Sequence, residues 1–370
     1  MNKFATIIAL FLLSIATSGC AQKLSPEDQQ LRRDIAEMLL VGFRGTDLDS
    51  SNHIIRDVQE YGVGGVILFE YDAPSSSRPR NITSQQQLKT LCSQLQALSS
   101  ETLLIGIDQE GGRVNRLKST YGFPRFASAK QTALSGDDSV RYYARLTAKT
   151  LHNLGINLNF APCVDVDINP KCPVIGKIER SFSANPARVA HCAQIWIDEQ
   201  SKQGVISCPK HFPGHGSSKS DTHSGFADVT ETWNASELRP YQDLIATGKV
   251  QMIMTTHVFN GTLDSVYPAT LSHYTLTDLL RNQLNYKGLI ITDDLAMGAM
   301  VNQYDYDFIL QQAILAGADL LCLSNNGHDY NPDMVPEAVD IIFRKVKNGE
   351  IPRQRIQESA ARIRALKQTL

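Results

Sequence analysis

The sequence predicts an α/β protein, a single (β/α)8 TIM barrel with no second domain contributing to its site. Three observations carry this expectation. Short apolar runs alternate with amphipathic stretches of helical period from about residue 31 to about residue 350, the rhythm of parallel strands joined by helices. The glycine-rich phosphate loop of a dinucleotide-binding sheet is absent, which argues against an open doubly wound fold. Ionisable residues recur at the ends of the apolar runs, where a barrel gathers its functional side chains.

The chain begins with Lys3, a mostly apolar run from Phe4 to Ala16, then Thr17, Ser18, Gly19 and Cys20. A basic start, a short apolar centre and small residues at the end make residues 1–20 an expected export signal rather than a membrane span. Cys20 directly after Ser18-Gly19 resembles the lipobox of bacterial lipoproteins, in which the Cys becomes the lipidated first residue. Thr17 stands where Leu is usual, so plain secretion is the alternative. The expected location is periplasmic or at the cell surface, with the membrane as partner only through Cys20.

Residues 21–370 are expected to form the barrel and its closing helices. Eight strands are predicted: Met38 to Phe43, Gly65 to Phe69, Leu103 to Asp108, Leu158 to Val166, Val205 to Cys208, Met252 to Val258, Leu289 to Asp293 and Leu320 to Ser324. Between them, Pro186 to Lys202 places Val189, Cys192, Ala193, Trp196 and Ile197 at helical spacing, with Gly204 as the stop. A second helix runs from Ser139 to Leu154 and ends at Gly155. The tail from Pro336 to Leu370 holds two helical patterns, the second from Arg353 to Lys367.

A net charge of -2 from 36 basic and 38 acidic residues, with no basic stripe interleaved with aromatics, excludes nucleic acid as a natural partner. It also points to a substrate without strong charge. Besides Cys20 there are cysteines at 92, 163, 172, 192, 208 and 322, without a C-x-x-C pair. Export permits disulfides, and Cys163 with Cys172 is the closest pair, but all six read as core thiols.

The densest chemistry lies between Lys210 and His223, where Lys210, Lys219, His211, His215, His223 and Asp221 stand beside Pro213, Gly214 and Gly216. The apolar run before it ends as a strand, and the Pro and Gly then forbid regular structure, so this is expected to be a catalytic loop and not core. Asp221 and His223 can pair, the carboxylate fixing the imidazole tautomer. His211, His215 and His223 as metal ligands are the competing reading, without the close helical spacing of known zinc motifs. The third strand leads into Asp108-Gln109-Glu110-Gly111-Gly112-Arg113 and Arg116, the sixth holds Thr255-Thr256-His257, and the seventh ends in Thr292-Asp293-Asp294. Asp293 follows an apolar run and is the candidate nucleophile, with Asp294 turned away or paired structurally. With His223 as proton donor this gives the two groups of a retaining glycosidase. Asp108, Arg116, Arg180, Lys210 and His211 would supply hydrogen bonds to sugar hydroxyls. For Arg180 a structural salt bridge is an equal alternative.

These segments, with Asn169-Pro170, Pro173-Val174-Ile175-Gly176 and Glu179-Arg180-Ser181-Phe182, resemble glycoside hydrolase family 3, in the bacterial β-N-acetylglucosaminidase branch with a His/Asp dyad. The resemblance runs from about residue 30 to about residue 365. It implies a (β/α)8 barrel, no metal or other cofactor, and a two-step mechanism in which Asp293 forms a glycosyl-enzyme while His223, oriented by Asp221, serves as acid and then base. It further implies that Asp108, Arg116, Arg180, Lys210 and His211 bind a terminal GlcNAc of a muropeptide or chitooligosaccharide. The chain is expected to act as a monomer. Two departures stand out: the export signal, and Ser217 to Ser220 in place of a more acidic stretch, expected to alter loop mobility. The alternatives are a phosphorylase on the same scaffold, a β-glucosidase, and a peptidoglycan-binding lipoprotein without turnover.

Overall fold

The computed structural model describes residues 24–327 and 329–370; the expected export signal and Cys20 lie outside them. Eight short strands appear where eight apolar runs predict them: β1 (Leu39–Gly42), β2 (Gly65–Leu68), β3 (Leu104–Ile107), β4 (Leu158–Asn159), β5 (Ile206–Ser207), β6 (Met252–Met254), β7 (Leu289–Ile291) and β8 (Leu321–Leu323). All of their residues are buried, the pattern of a parallel sheet covered on both faces.

Parallel ladders join β8 to β1, β1 to β2, β2 to β3, β3 to β4, β4 to β5, and β6 to β7. Single parallel bridges make the remaining links, Phe212 with Thr255 beyond β5 and Ile291 with Leu320 between β7 and β8. At the first, Phe212 N–H donates to Met254 O and Thr256 N–H to Phe212 O, both 2.9 Å. At the second, Thr292 N–H donates to Leu320 O at 3.1 Å. The ladders thus give a six-stranded parallel sheet in the order β8-β1-β2-β3-β4-β5 and a parallel pair β6-β7, and the isolated bridges connect the two.

The fourth strand is much shorter than the predicted Leu158 to Val166. After Phe160, whose N–H donates to Ile107 O at 2.9 Å, the pairing with β3 passes to a side chain: Asn159 Oδ1 accepts from Gln109 N–H at 3.0 Å, and Nδ2 donates to Gln109 O at 3.1 Å. Ala161 O still accepts from Cys208 N–H at 2.9 Å, but Pro162 has no N–H to offer, and the next parallel bridge is that of Cys163 with Lys210. Alternation of apolar residues cannot report such a substitution of amide side chain for backbone.

Helix Pro186–Ser201 starts at Asn185, whose side chain accepts from the N–H groups of Ala187 and Arg188, and buries Val189, Cys192, Ala193, Trp196 and Ile197 as its spacing predicts. Helix Asp137–Leu154 packs beside it, ending on left-handed Gly155. The two tail helices are Met334–Lys347 and Arg353–Lys367. The second is tied to the opening helix Pro26–Glu37 through Arg364 with Glu37 at 2.7 Å and Lys367 with Glu37 at 3.2 Å. One large apolar core runs through the strands and inner helix faces, and all six cysteines of the described residues are buried thiols.

Candidate active site

Charged side chains from successive strand ends meet on one side of the sheet. Asp108 follows β3, and Lys210 follows β5; Lys210 Nζ lies 2.6 Å from Asp108 Oδ1 and 2.8 Å from Glu110 Oε1. Arg116 donates to Asp108 Oδ2 at 3.1 Å. Arg180 forks onto Glu110 through Nε at 2.9 Å and Nη2 at 2.8 Å, and donates through Nη1 to Val174 O at 2.9 Å. Burial pushes the Asp108 and Glu110 carboxyls up, but Lys210 with Arg116 holds Asp108 well below the usual range, and Arg180 with Lys210 holds Glu110 at about 2. Both are ionised at neutral pH, and the same partners, against burial, raise Lys210 above its ordinary value. The salt-bridge alternative for Arg180 is thus realised, and Glu110 is its partner.

The expectation that the Lys210 to His223 segment is loop rather than core needs correction. It has no regular structure, but its first part, residues 210–218, is buried throughout, and only from Lys219 does it emerge. Ser217 and Ser218, predicted to alter loop mobility, are 1% and 0% exposed. The physical reason is Asp165, a fully buried carboxylate that the segment wraps. Asp165 accepts from His211 N–H at 3.3 Å and His215 N–H at 2.8 Å, and lies 2.6 Å from His211 Nδ1. An arginine only donates, so Nη2 of Arg180 at 3.1 Å makes His211 Nε2 an acceptor and Nδ1 the protonated nitrogen. Both ring nitrogens of His211 are thus spent inside the protein, and contact of either with a sugar requires exchanging one of these bonds.

The three histidines of the metal alternative do not converge. His215 turns toward Thr222 Oγ1 at 3.2 Å and is pushed down to about 4 by burial, while His223 pairs with Asp221. The donor atoms that do cluster are those of Cys163, Asp165 and His211, within 4.8 Å of one another. Burial holds the Cys163 thiol protonated, and the His211 lone pair already faces a guanidinium, so this set suits a hydrogen-bonded core better than a cation.

The dyad itself forms: His223 Nδ1 lies 2.8 Å from Asp221 Oδ1, which also accepts the His223 backbone N–H at 2.8 Å. The hydrogen bond to Asp221 raises the imidazole above its ordinary value, burial opposes, and Asp293 adds to the rise. The His223 side chain is 65% exposed, so its Nε2 side is open to an incoming group. The dyad is seated on the segment that carries Asp293: Gly298 N–H donates to His223 O at 3.3 Å and Ala299 N–H to Thr222 O at 3.1 Å.

Asp293 and Asp294 diverge as predicted. Asp294 caps the turn beyond β7, accepting from Ala296 N–H at 3.2 Å and Ser324 N–H at 3.0 Å and pairing with the Ser324 hydroxyl. Asp293 accepts only the Asp294 N–H, at 2.8 Å, leaving its second oxygen unclaimed by hydrogen bonds among the described residues. Burial raises Asp293, but the positive charge of His257 and His223 when protonated, with the Asp294 N–H, outweighs it and holds the carboxyl below its ordinary value. Burial lowers His257, whose Nε2 donates to Asp294 O at 2.9 Å and so steadies the turn.

A profile of the family described as "Glycosyl hydrolase family 3 N terminal domain" matches residues 30–366. The chain belongs to glycosyl hydrolase family 3. The Beta-hexosaminidase of Tolumonas auensis is 33% identical over 292 residues, 78% of this chain and 83% of that protein. Beta-hexosaminidase A of Pseudoalteromonas piscicida is 34% identical over 280 residues, which are 71% of this chain but 46% of that protein, so the chain spans about half the length of this relative. A family 3 beta-N-acetylglucosaminidase structure from Paenibacillus sp. str. FPU-7 superposes with a TM-score of 0.82 at 32% identity, covering 92% of this chain and 62% of that chain. The Beta-N-acetylhexosaminidase of Beutenbergia cavernae shares the fold at 24% identity, with a TM-score of 0.81 over 91% of this chain and 98% of that chain.

Sequence reasoning left Glu110, Asp165 and His257 out of this family 3 site. Glu110 stands in the same motif as Asp108, and an acid such as Asp165 inside a run of Val164 and Val166 signals a buried partner. His257 looked like one more strand-end residue; only its bond to Asp294 O reveals its place.

Proposed function

We propose that this chain is a retaining exo-β-N-acetylglucosaminidase that removes terminal GlcNAc from peptidoglycan fragments or chitooligosaccharides. One observation carries the reading: a hydrogen-bonded Asp221–His223 pair is seated by backbone bonds on the same segment that presents an ionised Asp293. The six-stranded parallel sheet, the parallel pair and the bridges that connect them support reading the described residues as one (β/α)8 barrel with Asp293 at the strand ends where such barrels work.

In this mechanism Asp293 attacks the anomeric carbon while His223 Nε2–H protonates the departing glycosidic oxygen, giving a glycosyl-enzyme ester and a neutral imidazole. His223 Nε2 then takes a proton from water as that water displaces Asp293, and the imidazolium is restored. Asp221 holds Nδ1–H throughout and stabilises the charged ring. Asp108, Arg116 and Lys210 lie at strand ends with charge-assisted hydrogen-bonding capacity toward sugar hydroxyls, while Arg180 is mostly occupied with Glu110 and Val174 O, and His211 with Asp165 and Arg180. The export signal and Cys20 lead us to place this activity outside the inner membrane, on a lipid-anchored chain.

The test is release of 4-nitrophenol from the β-GlcNAc and β-glucoside derivatives by the purified chain, with and without a chelator. Release from the GlcNAc compound alone, unchanged by chelator, is expected; equal or preferred release from the glucoside would overturn the assignment of sugar.

A further inference from the structure

Beneath the buried part of the acid/base loop lies a carboxyl group that takes no part in the mechanism above. Glu237 sits in the short 3-10 turn Ala235–Leu238 and is 1% exposed. Its Oε2 accepts the Gly216 N–H at 3.0 Å. A side chain at Gly214 has no room: a Cβ there would stand 2.7 Å from Glu237 Cβ and Oε2, at a φ of +127°. A Cβ on Gly216 would stand 1.8 Å from Val166 O, so the loop is held between the Val166 backbone on one side and Glu237 on the other. Trp233, from the same segment as Glu237, donates Nε1–H to Pro213 O at 3.1 Å.

From this clamp a chain of contacts leads to the dyad. His215, between the two clamped glycines, donates its N–H to Asp165 and reaches Thr222 Oγ1, and Thr222 separates Asp221 from His223. Thr222 O in turn accepts from Ala299, beyond the Asp293 turn. We infer that Glu237 is a positioning residue for the proton donor: through Gly216 and His215 it fixes the segment from which Asp221 and His223 project. The inference rests on the glycosidase reading for its kinetic consequence but not for its geometry. Burial pushes the Glu237 carboxyl up to about 7, the Ser217 side chain opposing, so a neutral side chain of the same shape is compatible with the site.

The test compares Glu237→Ala and Glu237→Gln on 4-nitrophenyl β-GlcNAc, with the His223 imidazole titrated in parallel by NMR. Gln keeps an acceptor for the Gly216 N–H; Ala does not. For Glu237→Ala we expect kcat to fall about tenfold or more with KM within about threefold, while Glu237→Gln stays within about threefold of the parent. The His223 titration and the alkaline limb of kcat/KM should move to lower pH in Glu237→Ala alone, because a displaced loop weakens the bond that His223 Nδ1–H donates to Asp221. Should the Ala variant fail to fold, Trp233→Phe, which loses the bond to Pro213, should shift His223 in the same direction. An unmoved His223 titration in a folded variant, or Gln as impaired as Ala, overturns the inference. Absence of turnover in the parent chain would instead overturn the glycosidase reading, and the NMR titration would still decide this one.

Discussion

Replacing Arg180 with Met separates the structural from the binding role of this residue. Met approximates the volume of the aliphatic stem and removes the guanidinium, so the bidentate bond to Glu110 and the bonds to Val174 O and His211 are lost together. Glu110 has an ordinary value of 4.5 and is held at about 2 in the fold, an interval equivalent to about 3 kcal/mol of stabilisation at neutral pH, shared between Arg180 and Lys210. Lys210 at 2.8 Å still contacts Glu110 in the variant, which keeps the loss near the low end of the range for breaking a buried pair, about 3 kcal/mol. For a chain of this length the melting entropy is about 0.7 kcal/mol per degree, so Tm falls by about 4 °C. The sign with pH follows from the depressed carboxyl: its contribution is complete above the unfolded value and disappears as pH falls toward the folded one. The deficit of Arg180→Met should therefore be full at about pH 7 and shrink below about pH 4.5, as Glu110 takes up a proton in the variant first. Urea unfolding of both proteins across this range is the assay. A deficit under about 1 kcal/mol, or one that does not change with pH, would refute the argument that Arg180 exists chiefly to neutralise Glu110.

Three further outcomes are expected. Asp293→Asn should lower kcat for 4-nitrophenyl β-GlcNAc by about 10³-fold or more while leaving the melting temperature near the parent's, measured by chromophore release and thermal unfolding. Asp221→Ala should lower kcat/KM by about 10²-fold and move its alkaline limb to lower pH, since the bond that raises His223 is gone and the required imidazolium is lost sooner; a pH–rate profile reads both effects. With inorganic phosphate present, water should remain the acceptor and no GlcNAc-1-phosphate should appear by ³¹P NMR; its accumulation would favour the phosphorylase alternative, for which a His acid/base, neutral at the second step and without the negative charge by which a carboxylate base repels phosphate, is well suited.

Periodicity alone marked a strand in each of eight apolar runs, the fourth much longer than the strand that forms, and the helices Pro186–Ser201, Asp137–Leu154, Met334–Lys347 and Arg353–Lys367, because burial on both faces leaves continuous apolar runs and these helices show their spacing. The dyad was equally legible, since Asp221 and His223 are two residues apart and need no distant partner to meet. Asp293 was legible by its place at the end of Leu289–Ile291. What the tertiary structure decided was which of the remaining charges hold the site together. Glu110 and Arg180 are 70 residues apart in sequence and share two hydrogen bonds, and His211 meets Asp165 across 46 residues. Burial of residues 210–218 follows from Asp165 and Glu237 supplying acceptors for loop N–H groups that Pro and Gly leave without a regular partner. A local pattern of Gly, Pro and His announces that a loop is special; whether it lies in solvent or in the core depends on acceptors contributed by other strands and turns, and these are fixed only when the chain has folded.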